Sequence, residues 1–156
     1  MTRRTLYYHF ASKEALVGAY LTRRDAAGRA LVAGNADVPP ARRLLAVFDE
    51  LERWFRTRSF RGCALTNAVA EKGETVVVAG RITLRHKRAL RDWFVATCAA
   101  AGCSAPADLG EQLMVLFDGA LTSATTRREP KAASHARAAA ATLLRAHGVF
   151  EEGRSR

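Results

Sequence analysis

Apolar positions recur at three- and four-residue steps along most of this chain. That is the period of an α-helix, not the two-residue alternation of a half-buried strand. Residues 75–79 alternate briefly, but a strand there would have no partner, and the run reads as the entry to a helix. A helix predicted over 13–33 carries Leu16, Ala19, Tyr20, Ala27 and Leu31 as its apolar positions, and Gly34-Asn35 and Pro39-Pro40 stop it. Ser12 suits the N-cap, because its hydroxyl can accept from orphan backbone N–H groups, and Glu14 sits where the helix dipole favours negative charge. A helix over 41–57 has the stripe Leu44, Leu45, Phe48, Leu51, Trp54 and Phe55. Gly62 and Gly73 then break the rhythm around one short helix. A long helix over 75–101 uses Leu84, Leu90, Trp93, Phe94 and alanines, and ends at Gly102. Pro106 and Asp108 open a helix over 106–128, with Leu113, Leu116, Phe117, Ala120, Leu121 and Ala124 inward, and Glu129-Pro130 closes it. The last helix spans 131–147 and stops at Gly148. The polar tail 151–156 is expected to fray. The fold class is all-α, with no internal repeat.

The first residues carry the chemistry. Leu6 and Phe10, four apart, share a face that must be buried if 2–10 is a helix. Thr2, Arg3, Arg4, Thr5, Tyr7, Tyr8 and His9 then point elsewhere. Hydroxyls and cations on a short helix, followed by a tight turn at Ala11-Ser12 and a capped helix, fit a recognition helix. Lys13 adds charge at a helix N-terminus that already favours phosphate.

Composition narrows the picture less. Net charge is +10, from 25 basic and 15 acidic residues, which favours an anionic partner. Arginine dominates the cations and alanine is abundant, so GC-rich coding accounts for the same numbers, and charge alone selects neither reading. The face holding Arg81, Arg85 and Arg88 is read as solvated. No apolar run approaches the roughly 18 residues needed to span a bilayer, and no secretory segment opens the chain, so a cytoplasmic location is expected. Cys63, Cys98 and Cys103 make no CxxC pair and have no histidine in register, so neither a metal site nor a disulfide framework is expected, and all three are read as small buried hydrophobes. On a continuous helix, Cys98 and Cys103 would point to different faces. His9, His86, His135 and His147 lie apart from any carboxylate or nucleophile at catalytic spacing, and no glycine-rich phosphate loop is present. The chain is read as a non-enzyme without a cofactor.

"TRRTLYYHFASKEAL" resembles the end of the helix-turn-helix of TetR/AcrR-type transcriptional regulators through Leu6, Tyr7, Tyr8, His9, Phe10, Ser12, Lys13, Glu14 and Leu16. "FRGCALTNAVAE" and "RHKRALRDWF" resemble segments of the family's regulatory domain. The resemblance implies an all-helical homodimer that binds operator DNA and is released from it by a small ligand, usually as a repressor. Residues 1–16 would complete the DNA-binding domain, 17–40 would be the linking helix and loop, and 41–150 the ligand-binding and dimerisation domain. The residues set toward DNA are Thr2, Arg3, Arg4, Thr5, Tyr7, Tyr8, His9 and Lys13. Dimerisation would use 106–128 and 131–147, where Ala138, Ala139, Ala140, Ala141, Leu143 and Leu144 permit close helix approach.

The pattern departs from the family at Met1, where two further helices are expected before the recognition helix. Short helices nucleate poorly alone. The alternatives are a start codon placed downstream of the true one, or an N-truncated ligand-binding dimer without DNA binding; translating the DNA upstream of Met1 separates them. The helices that line pockets in the family hold Phe48, Leu51, Trp54, Phe55, Asn67, Trp93, Met114, Phe117 and Asp118 here, and most of the apolar ones are expected to be core, as aromatic stripes at helical spacing usually are. Asn67 and Asp118 are the polar candidates among them. The sequence names neither the ligand nor the operator.

Overall fold

Prolines, glycines and one serine set the helix boundaries. The computed structural model describes residues 8–33, 37–71 and 75–149. They contain α1 (Lys13–Ala33), α2 (Pro40–Phe55), α3 (Ala64–Ala70), α4 (Val76–Ala100), α5 (Pro106–Thr126) and α6 (Ala132–Ala146). No strand occurs among the described residues. Ser12 Oγ accepts the Ala15 N–H at 3.1 Å, the N-cap expected of it. Pro40 and Pro106 occupy the first turns of α2 and α5, where a missing N–H costs nothing. Gly102 and Gly148 end α4 and α6 at φ +79° and +75°, a region that L side chains avoid. At each, two backbone bonds fold back over the last turn: Gly102 N–H to Ala99 and Cys103 N–H to Cys98, then Gly148 N–H to Arg145 and Val149 N–H to Leu144. The stop expected at 34–35 lies outside the described residues.

The main core joins α2, α4, α5 and α6. Leu44, Phe48, Leu51, Leu90, Phe94, Leu109, Leu113, Ala133, Ala140 and Leu144 are all fully enclosed. Burying a leucine or phenylalanine stabilises by roughly 1.5–3 kcal/mol, so this cluster is the main source of stability. A smaller cluster, Leu21, Leu65, Ala79 and Ile82, ties α1 and α3 to the first half of α4. Helix α4 runs through both.

Three expectations need correction. The buried line of α1 is Leu21, Asp25 and Val32. Ala19, Tyr20 and Ala27 are exposed, while Leu16 and Leu31 are half-buried. A pattern built on apolar residues passed over the aspartate that marks the true inward face. Leu84 is 53% exposed, because Ile82 and His86 occupy the inward register of α4. Cys98 and Cys103 do not diverge: α4 ends at Ala100 and the glycine turn brings Cys103 back into the same core. Cys63 is half-buried and all three thiols are free.

Two outcomes follow from this packing. A Cβ on Gly110 would lie 2.5 Å from Val95 Cγ2 and 3.0 Å from Val95 N and Cα. The side-chain carbon can rotate away, but the α4 backbone cannot. Gly110→Ala should therefore lower the urea midpoint, with an overpacking cost of about 1–3 kcal/mol outweighing the gain of about 1 kcal/mol in helix propensity. Gly80→Ala, which meets open space, should leave stability equal or higher. Burial pushes the Cys98 thiol from 9.0 up to about 12. The unfolded chain thus releases this proton first, and the thiol's contribution to stability is lost as pH rises from 9 toward 12. At pH 8 a disulfide reagent should spare Cys98 in the native chain and modify it once urea unfolds the protein.

Candidate functional site

Between the two apolar clusters, α1 crosses α4 around a buried carboxylate. Asp25 is 1% exposed and His86 is 5% exposed. His86 Nδ1 lies 2.9 Å from Asp25 Oδ1. A carboxylate can only accept, so this nitrogen donates and the ring orientation is set. Asp25 Oδ2 faces Arg29 at 3.1 Å and Arg85 at 3.3 Å, both arginines reaching in from solvent. Such an arrangement is what an acid needs to be tolerated in a core: a partner on each oxygen. Gly28, one turn on, makes room for the ring. A Cβ there would approach His86 Cε1 to 2.7 Å.

Beside this pair is a cavity of about 210 Å³. Helix α1 gives it Arg24, Ala27, Gly28 and Leu31; α2 gives Leu51 and Trp54; α4 gives His86, Lys87 and Leu90; α5 gives Phe117 and Leu121. The residues leading into and opening α3 close the remaining side. The wall is mostly apolar with a few convergent polar groups, the usual make-up of a small-molecule site. A second cavity of about 270 Å³ adjoins it, shares Cys63, Lys87 and Leu121, and is richer in threonine hydroxyls.

The pocket residues named from sequence divide into three groups. Leu51, Trp54 and Phe117 line the first cavity. Asn67 and Asp118 line the second. Asn67 donates its amide to the Arg61 carbonyl at 2.9 Å, and Asp118 pairs with Lys87. Phe48, Phe55, Trp93 and Met114 sit in the core instead. Sequence reasoning missed Arg24, Asp25, Gly28 and His86. The available signal was a polar residue in an apolar register: His86 follows Ile82 and precedes Leu90 by four residues each, and Asp25 follows Leu21 by four.

At the other end of α1, Tyr8 and His9 are helical and Tyr8 is 87% exposed. Their rings meet edge to face at 5.3 Å. Lys13 is exposed at the first turn of α1. Thr2, Arg3, Arg4, Thr5 and Tyr7 lie outside the described residues. Arg81 and Arg88 are solvated as expected, whereas Arg85 also serves Asp25. Among the described residues no helix is long and apolar enough to cross a membrane, and no group of three or more His, Cys, Asp or Glu is placed to hold a metal ion.

No protein-family model and no curated protein matches the chain. Two solved structures do. A TetR-family transcriptional regulator from Streptomyces coelicolor aligns with a TM-score of 0.84 and 31% identity, over 94% of this chain and 79% of that one. A chain assigned as a TetR transcriptional regulator from Streptomyces avermitilis aligns with a TM-score of 0.80 and 28% identity, over 96% of this chain and 82% of that one. The chain thus spans about four fifths of the length of each. With this identity carried over nearly its whole length and the same helical architecture, the chain belongs to the TetR family of transcriptional regulators.

Proposed function

We propose that this protein is a homodimeric, ligand-responsive DNA-binding regulator, acting as a repressor that leaves its operator when the cavity fills. The observation that carries this reading is the span of α1. Its N-terminus follows directly on the exposed Tyr8 and His9, and its second half walls the cavity through Arg24, Ala27, Gly28 and Leu31. At 1.5 Å per residue, about 22 Å of continuous helix joins Lys13 to Gly28. A ligand that moves α1 at the cavity moves the DNA-facing end with it. In this division, residues 1–16 contact DNA, 17–40 connect, and 41–150 bind ligand and partner. The DNA contacts would be Thr2, Arg3, Arg4, Thr5, Tyr7, Tyr8, His9 and Lys13, and the ligand contacts Leu51, Trp54, Phe117 and the α1 wall.

Dimerisation is supported by the outer surface of α5 and α6. Val115 stands 69% exposed on α5. Beside it runs a groove lined by Gly119, Ala120, Ala132, Ala136 and Ala139, small residues that permit a close helix approach. Ala133, Ala140 and Leu144 are already spent on packing inside the protomer, so the partner would meet Ala138 and Ala139.

Two measurements test the proposal. Fluorescence anisotropy with promoter DNA adjoining the gene should show affinity that falls steeply with salt. Lys13→Ala should weaken binding and reduce the slope of log K against log salt by about 1, with the thermal midpoint unchanged. Dimerisation without any DNA binding would favour a ligand-binding dimer as the functional unit. Val115→Arg should leave the fold intact, because the site is exposed, and should shift sedimentation from dimer to monomer. A dimer unaffected by this charge would place the interface elsewhere.

A further inference from the structure

We infer that the ligand is a small apolar weak acid, a carboxylic acid or phenol on an aromatic or branched body, whose acidic oxygen is received by His86 Nε2. This rests on reading the 210 Å³ cavity as the ligand site. Three observations carry it. First, His86 lines the cavity with one nitrogen committed: Nδ1–H donates to Asp25 at 2.9 Å, and among the described residues Nε2 has no partner. The His86 side chain is 6% exposed and borders the cavity, and its second nitrogen is not among the fully buried atoms, so it stays open to a ligand. Second, the charges on the cavity wall are Arg24 and Lys87, the latter paired with Asp118 of the adjoining cavity, and no carboxylate is among the described lining residues. Asp25 lies behind the ring, taken up by His86, Arg29 and Arg85. Third, the volume exceeds the roughly 150 Å³ that admits a bare benzene ring, which leaves room for one polar substituent.

The chemistry follows from the tautomer. With the Nδ1 proton held toward Asp25, the neutral ring offers a lone pair at Nε2. A phenol O–H donates to it, and a carboxylic acid, ionised in neutral water, binds as the anion with a proton taken up from solvent at Nε2. With the proton on nitrogen, the imidazolium is flanked by Asp25 on one side and the ligand anion on the other, with Arg24 adding positive potential and Lys87 already paired with Asp118. A neutral amide of the same shape offers an N–H donor but no charge, and a hydrocarbon offers neither.

Isothermal titration calorimetry with benzoic acid, benzamide and toluene tests this. The wild-type chain should bind benzoic acid about tenfold or more tightly than either of the others. In His86→Phe, which keeps a ring and removes both nitrogens, benzoic acid should fall to the level of toluene while toluene binding is retained. If that variant fails to fold, the wild-type histidine ¹⁵N resonances serve instead: one Nε2 signal, assigned by its loss in His86→Gln, should move with benzoic acid and stay in place with toluene. Equal binding of benzoic acid and toluene to the wild type, or an Nε2 signal indifferent to the acid, overturns the inference and leaves the cavity as an apolar ligand site. Binding of none of the three overturns both the inference and the reading of the cavity.

Discussion

A carboxylate inside a protein must be surrounded by donors or it cannot stay there. Asp25 meets that requirement with His86 on one oxygen and Arg29 and Arg85 on the other. The position of α1 against α4 depends on it. The two helices do not meet through a continuous apolar seam. Leu21 joins the small cluster at one end and Val32 the main core at the other, with the acid between them. Helix α4 repeats the arrangement, with Ile82 on one side of His86 and Leu90 on the other. The polar pair sits between the two hydrophobic clusters and sets the register of α1 against α4 there. The cavity lies in that gap.

How much of this was legible in the sequence varies with the physics that decides each feature. Helix boundaries were readable because local chemistry sets them: Ser12 caps, Pro40 and Pro106 start, Gly102 and Gly148 stop. The strongly amphipathic stripe of α2 was readable too, since Leu44, Phe48, Leu51 and Phe55 are buried as their spacing requires. The inward face of α1 was not. Its defining residue is charged, and its partner His86 lies 61 positions away in a run of arginines. Long-range pairing of two polar residues leaves no periodic trace. The cavity shares that difficulty: Leu51, Trp54 and Phe117 were named, but Phe48, Phe55, Trp93 and Met114 have the same aromatic or apolar character and fill core instead. Whether an apolar side chain faces a void or a neighbour depends on the whole packing, not on its own helix.

The alanine-rich α6 carries small residues on both of its faces. Ala133, Ala140 and Leu144 are consumed inside the chain against α2 and α5, and Ala136 packs at the edge of the outer groove. Ala138 and Ala139 face out. Small side chains on both faces let the backbone approach closely whichever way it packs, so composition alone does not tell an interior alanine from an interface one.

Helix α1 is also the most loosely held long helix. It has 21 residues, the same number as α5, yet buries three where α5 buries eight. Of its three, one is Asp25, whose partners include two arginines more than half exposed. With roughly 1.5–3 kcal/mol from each of Leu21 and Val32, a few kcal/mol of apolar burial hold the helix to the body. Shifting a two-state equilibrium from one side to the other takes differential binding of about 5.5 kcal/mol. These magnitudes are comparable, so a ligand contacting Gly28 and Leu31 could compete with the native docking of α1. The same displacement of α5 would require breaking most of the main core. The cavity therefore lies against the long helix with the fewest buried residues, and that helix is the one leading from Tyr8, His9 and Lys13.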